Sequence, residues 1–483
     1  MESLLKIAPL LLVLSACAVG PDYVRSSVDT PAAFKEQAGW KIAQPADLKI
    51  PGNWWEMYND PVLNALEVQV AISNQTVIQA AAQYRQARAL VQSAAAAYYP
   101  TVGANVSSTR ASGSSTATKA NSGAGKSATA PSNTDLLEVD VSWEPDIWGK
   151  VRRTVEANTS TAQASAAELQ AMRLSTQAQL AQDYFQLRDQ DADRQLFDKT
   201  VVDYKKSLDL TQAQFDNGLI QKENLVLAQT LLAQTEAQAI DFDVARAQME
   251  HAIALLVGQP ASTFSIAKVD HFDTPIPVLP IGLPSSLLER RPDIANAERL
   301  VSAANAQIGV AKAAYFPDLT LAAAGGYQSN GLANWISLPN RIWSVGPALA
   351  ETLFDGGARS AATDSAIAAY DASVANYRQT VLTGFQEVED NIAALRILEQ
   401  EAQQQKLAVQ LSRKSVELTR QQYQAGIVTY LDVITVETTA LSNERADVDL
   451  QNKRLSAHVL LIKALGGGWD VSQLPSVKTV SKN

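Results

Sequence analysis

The sequence predicts an α+β membrane protein built from two internal repeats, each carrying a pair of short strands between long helices. Three observations carry this. Landmarks recur at a steady offset: "EPDIWGKVRR" with "ETLFDGGARS" at 207 residues, then "QFDNGLI" with "QYQAGIV" and "HAIALLVG" with "VLLIKALG" at 208. The intervals from Gly149 to Gly218 and from Gly357 to Gly426 are each 69 residues, free of proline, with Gly384 the only glycine inside them. Before each interval lie segments that alternate apolar and polar residues with period two, as strands do. The repeats are taken as 61–258 and 287–466.

Each repeat opens with a helix, 61–98 in the first and one beginning at 287 in the second. They end alike, in "AAAAYYPTV" and "AKAAYFPDL", with Tyr98, Tyr99 and Pro100 matching Tyr315, Phe316 and Pro317. A residue before proline is pushed out of the α region, so the prolines stop both helices. Strands follow at about 101–110 and 136–147, and at about 318–328 and 342–354. In "LLEVDVSWE", Leu137, Val139, Val141 and Trp143 share one face, and Glu138, Asp140, Ser142 and Glu144 the other. That is the pattern of a strand between lipid and water. Pro347 then marks a bulge or an edge. The Ser/Ala/Gly/Thr tract between the first two strands reads as a surface loop. Its shorter counterpart holds Trp335 and Ile336, which are expected to turn inward.

The long helices, 150–215 and 357–424, would each run about 100 Å. Gly218 and Gly426 fit the left-handed position that ends a helix. The return helices, 225–258 and 430–465, are shorter and could match that length by stacking end to end with the helices that open the repeats. A Pro-rich linker, 259–286, joins the repeats and a tail, 467–483, follows them. Ser286 and Glu289 have capping-box spacing and Pro292 suits the first helical position, so "LERRPD" reads as an interruption between helix segments.

The N-terminus, "MESLLKIAPLLLVLSAC", has an apolar run too short to span a bilayer. Its "LSAC" resembles a bacterial lipobox, which implies a signal peptide over 1–16 and acylation of Cys17, with 17–60 as a lipid-anchored segment. Ala18 in place of aspartate implies the outer membrane as address. No later stretch is apolar over 18 residues, so any crossing must be made by strands, which satisfy their backbone groups only in a closed barrel.

A net charge of −10 argues against nucleic-acid binding, and Cys17 as sole cysteine precludes an intrachain disulfide. His251, His271 and His458 have no metal-ligand spacing and adjoin no nucleophile motif, so no cofactor is expected beyond the lipid, and no enzymatic activity. Glu138 and Asp140 read as a pore lining in preference to a catalytic pair. Four strands cannot close a membrane barrel, which needs about eight. The chain must therefore oligomerise; two or three copies would serve, and composition does not choose between them. A lipid-anchored helical scaffold would account for the helices but not for the strand pairs.

"CAVGPDY", "WWEMYNDPVLNALEVQVAISNQ", "LPSSLLERRPDIANAERLVSAANAQIGVAKAAYFPDLTL" and "LFDGG" resemble the outer-membrane efflux lipoproteins of the OprM/NodT branch of the TolC superfamily, through essentially the whole mature chain. The resemblance implies a homotrimer with a twelve-stranded barrel in outer-membrane lipid and a periplasmic α-helical tunnel. It implies as partners a periplasmic adaptor and an inner-membrane transporter of the RND type, or, alternatively, a related export system for proteins or metal ions. It also implies a gate just past the second tip glycine. There Leu431 matches a gate leucine, Asp432 a gate aspartate and Tyr423 a gate tyrosine. Thr435 stands where a second aspartate would, and Val428 where an arginine would, so the gate is expected to be more apolar. Asp432 also sits where the helix macrodipole favours an acid, and Tyr423 where an interhelical packing residue would. Tyr98, Tyr99, Tyr315 and Phe316, beside Trp148 and Phe354, suit the aromatic belt at a membrane boundary.

Overall fold

A computed structural model describes residues 19–37, 50, 52–112, 131–269, 274–277, 279 and 284–480. The expected lipidation site Cys17, His271 and the central part of the Ser/Gly-rich loop lie outside the described residues.

The first repeat begins with two helices, α1 (Pro61–Ser73) and α2 (Gln75–Ala96), where the sequence predicts one. Asn74 makes the break. Its Oδ1 accepts from the Thr76 and Val77 amides at 2.9 and 3.0 Å, capping α2, and its Nδ2 donates to the Leu256 carbonyl at 2.7 Å. Strands β1 (Thr101–Ala111) and β2 (Ser132–Trp143) follow, then the 67-residue α3 (Lys150–Asp216) and the 35-residue α4 (Lys222–Leu256). The second repeat holds a helical turn (Leu287–Arg290), α5 (Pro292–Ala313), β3 (Asp318–Ser329), β4 (Arg341–Ala350), the 67-residue α6 (Ala358–Gln424) and the 35-residue α7 (Tyr430–Ala464).

Four further expectations change. β2 starts and stops four residues earlier than predicted, because Glu144-Pro145 cannot continue the ladder. β4 likewise stops at Ala350, not 354. The residues just before α3 and α6 are Gly149 and Gly357, both left-handed, so the true match is Gly149 with Gly357 and the offset is 208 for the long and return helices alike. Ser286 makes no side-chain capping bond. Pro292 does open α5, and Arg291 carries the junction: its guanidinium binds Asp293 and Glu387 at 2.6 Å and the Ala464 carbonyl at 3.2 Å.

Each return helix ends against the start of an opening helix. A Cβ on Gly258 would lie 2.3 Å from the Ser73 carbonyl oxygen, and one on Gly466 would lie 2.0 Å from that of Arg290. Both glycines also have positive φ, 71° and 94°, so no other residue fits the splice. Thus α4 continues into α2 and α7 into α5, as two broken helices that run alongside the unbroken α3 and α6. Around the splices lies the largest core, where Trp54, Tyr58, Tyr184 and Phe185 pack with α7.

The four strands form one antiparallel sheet in the order β1-β2-β3-β4. Its register sorts the faces. Val102, Val141, Ala323 and Val345 lie in one row, Trp143, Leu321 and Pro347 in another, and Val139, Gly325 and Trp343 in a third, all on one side. Pro347 is thus opposite Leu321 on the apolar face. The opposite side carries Asn105 and Gly326 beside Glu138, Gly103 and Ala324 beside Asp140, and Ala322 with Gly346. Among the described residues no helix is long and apolar enough to cross a membrane. The sheet's apolar face is suited to lipid, whereas its two open edges, β1 and β4, carry unpaired backbone groups and need further strands beside them.

The segment 19–37 forms a strap across both repeats. The Val19 amide donates to the Trp148 carbonyl, Arg153 binds Asp22 at 2.8 Å, and Asn305 donates to the Pro21 carbonyl at 3.0 Å. Farther down, Tyr23 donates to Glu298 at 2.6 Å, the Lys35 and Glu36 amides donate to Glu389, and Arg396 pairs with Glu36 at 2.5 Å.

Candidate functional site

Two ends of the molecule matter: the tips, where α3 turns into α4 and α6 into α7, and the belt where helices hand over to strands. At the first tip the Gly218 amide donates to the Phe215 carbonyl and that of Leu219 to the Gln214 carbonyl. At the second, Gly426 donates to Tyr423 and Ile427 to Gln422. This paired pattern is a Schellman ending, and Gly218 and Gly426 hold its left-handed position at φ of 71° and 73°. It leaves Leu219 and Ile427 as apolar points, 73% and 72% exposed.

Past the second tip, Thr429 and Asp432 form a capping box for α7. Asp432 Oδ2 accepts from the Thr429 amide at 2.8 Å and from its hydroxyl at 2.6 Å, which holds the carboxyl below its ordinary range. Asp432 therefore acts within its chain as the helix N-terminal acid. Leu431 is 57% exposed, and Thr435, one turn on, donates to the Leu431 carbonyl at 2.8 Å. Tyr423 donates to Gln214 Oε1 at 2.8 Å, so it ties the second hairpin to the first. Its ring lies 5.5 Å from that of Tyr430, which is buried and meets Ser207 Oγ at 3.2 Å. Sequence reasoning missed Tyr430 and Gln214; an aromatic residue directly after the Thr429 cap was the available signal.

At the belt both opening helices tighten in the same way. The Tyr98 and Tyr99 amides donate to the Ala95 and Ala96 carbonyls, and those of Tyr315 and Phe316 to the Lys312 and Ala313 carbonyls, before Pro100 and Pro317. Trp143 Nε1 donates to the Tyr98 carbonyl at 3.1 Å, and Trp148 stacks on Phe316 at 4.9 Å. Arg359 lies over the Tyr315 ring. Phe354, 88% exposed, projects from its turn.

On the face opposite the apolar one, Asp140 lies across Gly103: a Cβ there would sit 2.7 Å from Asp140 Oδ1. That face carries Glu138 and Asp140 in β2, small residues around them, and no basic residue in the paired rows. Of the histidines, His458 is buried, its Nδ1 2.6 Å from the Tyr58 hydroxyl, and burial pushes it down to about 4, so it is neutral. Among the described residues no group of His, Cys, Asp and Glu has the arrangement of a metal site.

Residues 67–259 and 283–467 match the family described as outer membrane efflux protein. The chain belongs to the outer membrane efflux protein family. It is similar to the toluene efflux pump outer membrane protein TtgC of Pseudomonas putida, 29% identical over 99% of each chain. It is similar also to the cation efflux system protein CusC of Escherichia coli, at 27% identity over 95% of this chain and 97% of that one. Among solved structures, the outer-membrane channel OprN superposes with a TM-score of 0.87 at 29% identity, over 94% of this chain and all of that one. An outer membrane efflux protein of this fold is a trimeric channel to which each chain gives four strands and a helical periplasmic tunnel. This one is an outer-membrane efflux conduit and not an enzyme. Its sheet has one apolar face, and it carries Glu138 and Asp140 on the other.

Proposed function

We propose that this chain is the exit duct of a tripartite system, taking small toxic molecules from an inner-membrane RND transporter through a periplasmic adaptor and passing them to the exterior. One observation carries the reading: a lipid-compatible sheet is joined in one chain to two hairpins whose 67-residue helices put the tips about 100 Å away. A duct of that reach meets an inner-membrane source across the periplasm. The transporter supplies the drive.

In the resting trimer Leu431 and Thr435 narrow the periplasmic entrance, with Asp432 and Tyr423 beside them. Support comes from the exposed apolar Leu431 next to a turn that the Tyr423–Gln214 bond ties to the first hairpin. Cys17 carries the lipid; its position two residues before Val19, which is bonded to Trp148 at the belt, supports an anchor level with the membrane. Relatives are named for toluene and for cation efflux, so the cargo is sought among solvents, antibiotics and metal salts.

Deletion of the gene should raise susceptibility to at least one of these classes, and mass spectrometry of the mature N-terminal peptide should find acylated Cys17. Unchanged susceptibility across the panel, in a strain with no second duct, would sink the export reading.

A further inference from the structure

The two helical hairpins, α3–α4 and α6–α7, meet along a seam where α3 and α7 run antiparallel. Gln186 with Asn452 and Ser207 with Tyr430 mark it as a ladder. Between these rungs is an open cavity of about 160 Å³, lined by Asp203 and Tyr204 of α3, Arg413 and Arg420 of α6, and Glu437 and Glu444 of α7. Two polar atoms buried there have no hydrogen-bond partner: the Tyr204 hydroxyl and Glu437 Oε2, in side chains 3% and 4% exposed. A buried carboxylate oxygen without a donor costs free energy, on the order of 1–3 kcal/mol or more for a charged group.

The lining decides what would relieve it. Both guanidiniums are committed, Arg420 to Glu437 Oε1 at 2.7 Å and Arg413 to Glu444, and both extend toward solvent. What remains unmet inside is acceptor capacity on one helix and a hydroxyl on another. An anion would meet the Glu437 carboxylate, and an apolar ligand would leave both groups unmet. A single water fills only about 30 Å³. A primary ammonium brings three donors and a positive charge, and a short alkyl tail has Val416, Ala440 and Leu441 to lie against.

We propose that this seam cavity is a binding site for a small organic cation with a primary ammonium group, held between Glu437 of α7 and Tyr204 of α3. Bound there, the cation bridges the two hairpins and opposes their separation.

The test is calorimetric titration of n-butylammonium chloride into the detergent-solubilised trimer. Saturable binding at one site per chain is expected, with sodium butyrate giving none. Glu437→Gln should weaken binding at least about tenfold, Tyr204→Phe about three- to tenfold, and Ala440→Leu, which fills the cavity but keeps the carboxylate, should abolish it. The wild-type trimer carries the decisive measurement, whatever a variant does to assembly. No saturable heat with wild type, equal binding of butyrate, or equal affinity in wild type, Glu437→Gln and Ala440→Leu would each overturn the proposal.

Discussion

Trp148 stacks on Phe316 with ring centroids 4.9 Å apart, and its Nε1 donates to the Pro317 carbonyl at 2.7 Å. The turn between β2 and α3 is thereby fastened to the end of the second repeat's opening helix, where it hands over to β3. Trp148→Ala removes an aromatic pair and a hydrogen bond, together worth about 1–3 kcal/mol. The trimer should dissociate at lower temperature on heat-dependent gel migration, with single-channel conductance unchanged.

The splice and tip glycines share a backbone conformation but not their surroundings. Gly466→Ala drives a methyl into the Arg290 carbonyl, whereas Gly426 has nothing within 4 Å of the equivalent position. Gly426→Ala should cost about 1–2 kcal/mol, the left-handed penalty alone. Gly466→Ala should cost more and leave little assembled trimer in outer-membrane fractions. Equal thermal stability of the two variants would contradict the splice.

At the entrance, Leu431→Ser and Asp432→Ala should each raise conductance in planar bilayers and admit antibiotics from outside. Asp432 is held below its ordinary range by its bonds to Thr429. Its stabilising share is therefore present above the usual carboxylate value near 4 and is lost only as pH falls through the lower folded value. Conductance of the wild type should show no gate loosening from this group between about pH 7 and 5. Should both variants conduct as the wild type does, the constriction lies elsewhere.

With the apolar face of the sheet toward lipid, Glu138 and Asp140 are expected on the lumen side of the barrel. The Glu138→Gln, Asp140→Asn double variant should shift the reversal potential in a salt gradient toward that of an unselective pore, most at low ionic strength, where screening is weakest. The trimer itself should assemble normally.

Burial, then the nearby Asp193 and Asp449 carboxylates, pushes Asp189 up to about 7; burial and Asp449 bring Asp193 to about 6 against the pull of Arg445. A carboxyl raised in the folded state costs nothing below its unfolded value near 4, and its cost grows as pH rises toward the folded value. The α3–α7 seam should therefore be firmer at pH 5 than at pH 8. Asp189→Asn should flatten that dependence in thermal unfolding, with the gain confined to the alkaline side.

The repeat, the long helices, the tip turns and the helix-to-strand changes at Pro100 and Pro317 were legible because each rests on local signals: proline, glycine, or sustained periodicity. Asp432 as a helix N-terminal acid was equally local, although its capping partner Thr429 was not singled out. The break at Asn74 was not, since a polar residue on a helix looks the same whether it faces water or, as here, caps a new helix and binds Leu256 at 182 residues' distance. The start of β2 slipped because Ser132, Asn133 and Thr134 join a ladder only once β1 lies beside them. Tyr204 and Glu437 could not be singled out, because what distinguishes them is that both are buried in the same gap.

The strap bears on the equivalence of the two repeats. It belongs to neither copy of the duplicated unit, yet it bonds to Trp148 and Arg153 in one and to Asn305 and Glu389 in the other. A trimer of this chain has six repeat units and three straps. The ring's symmetry is therefore threefold, and a substitution at corresponding positions of the two repeats need not have the same effect.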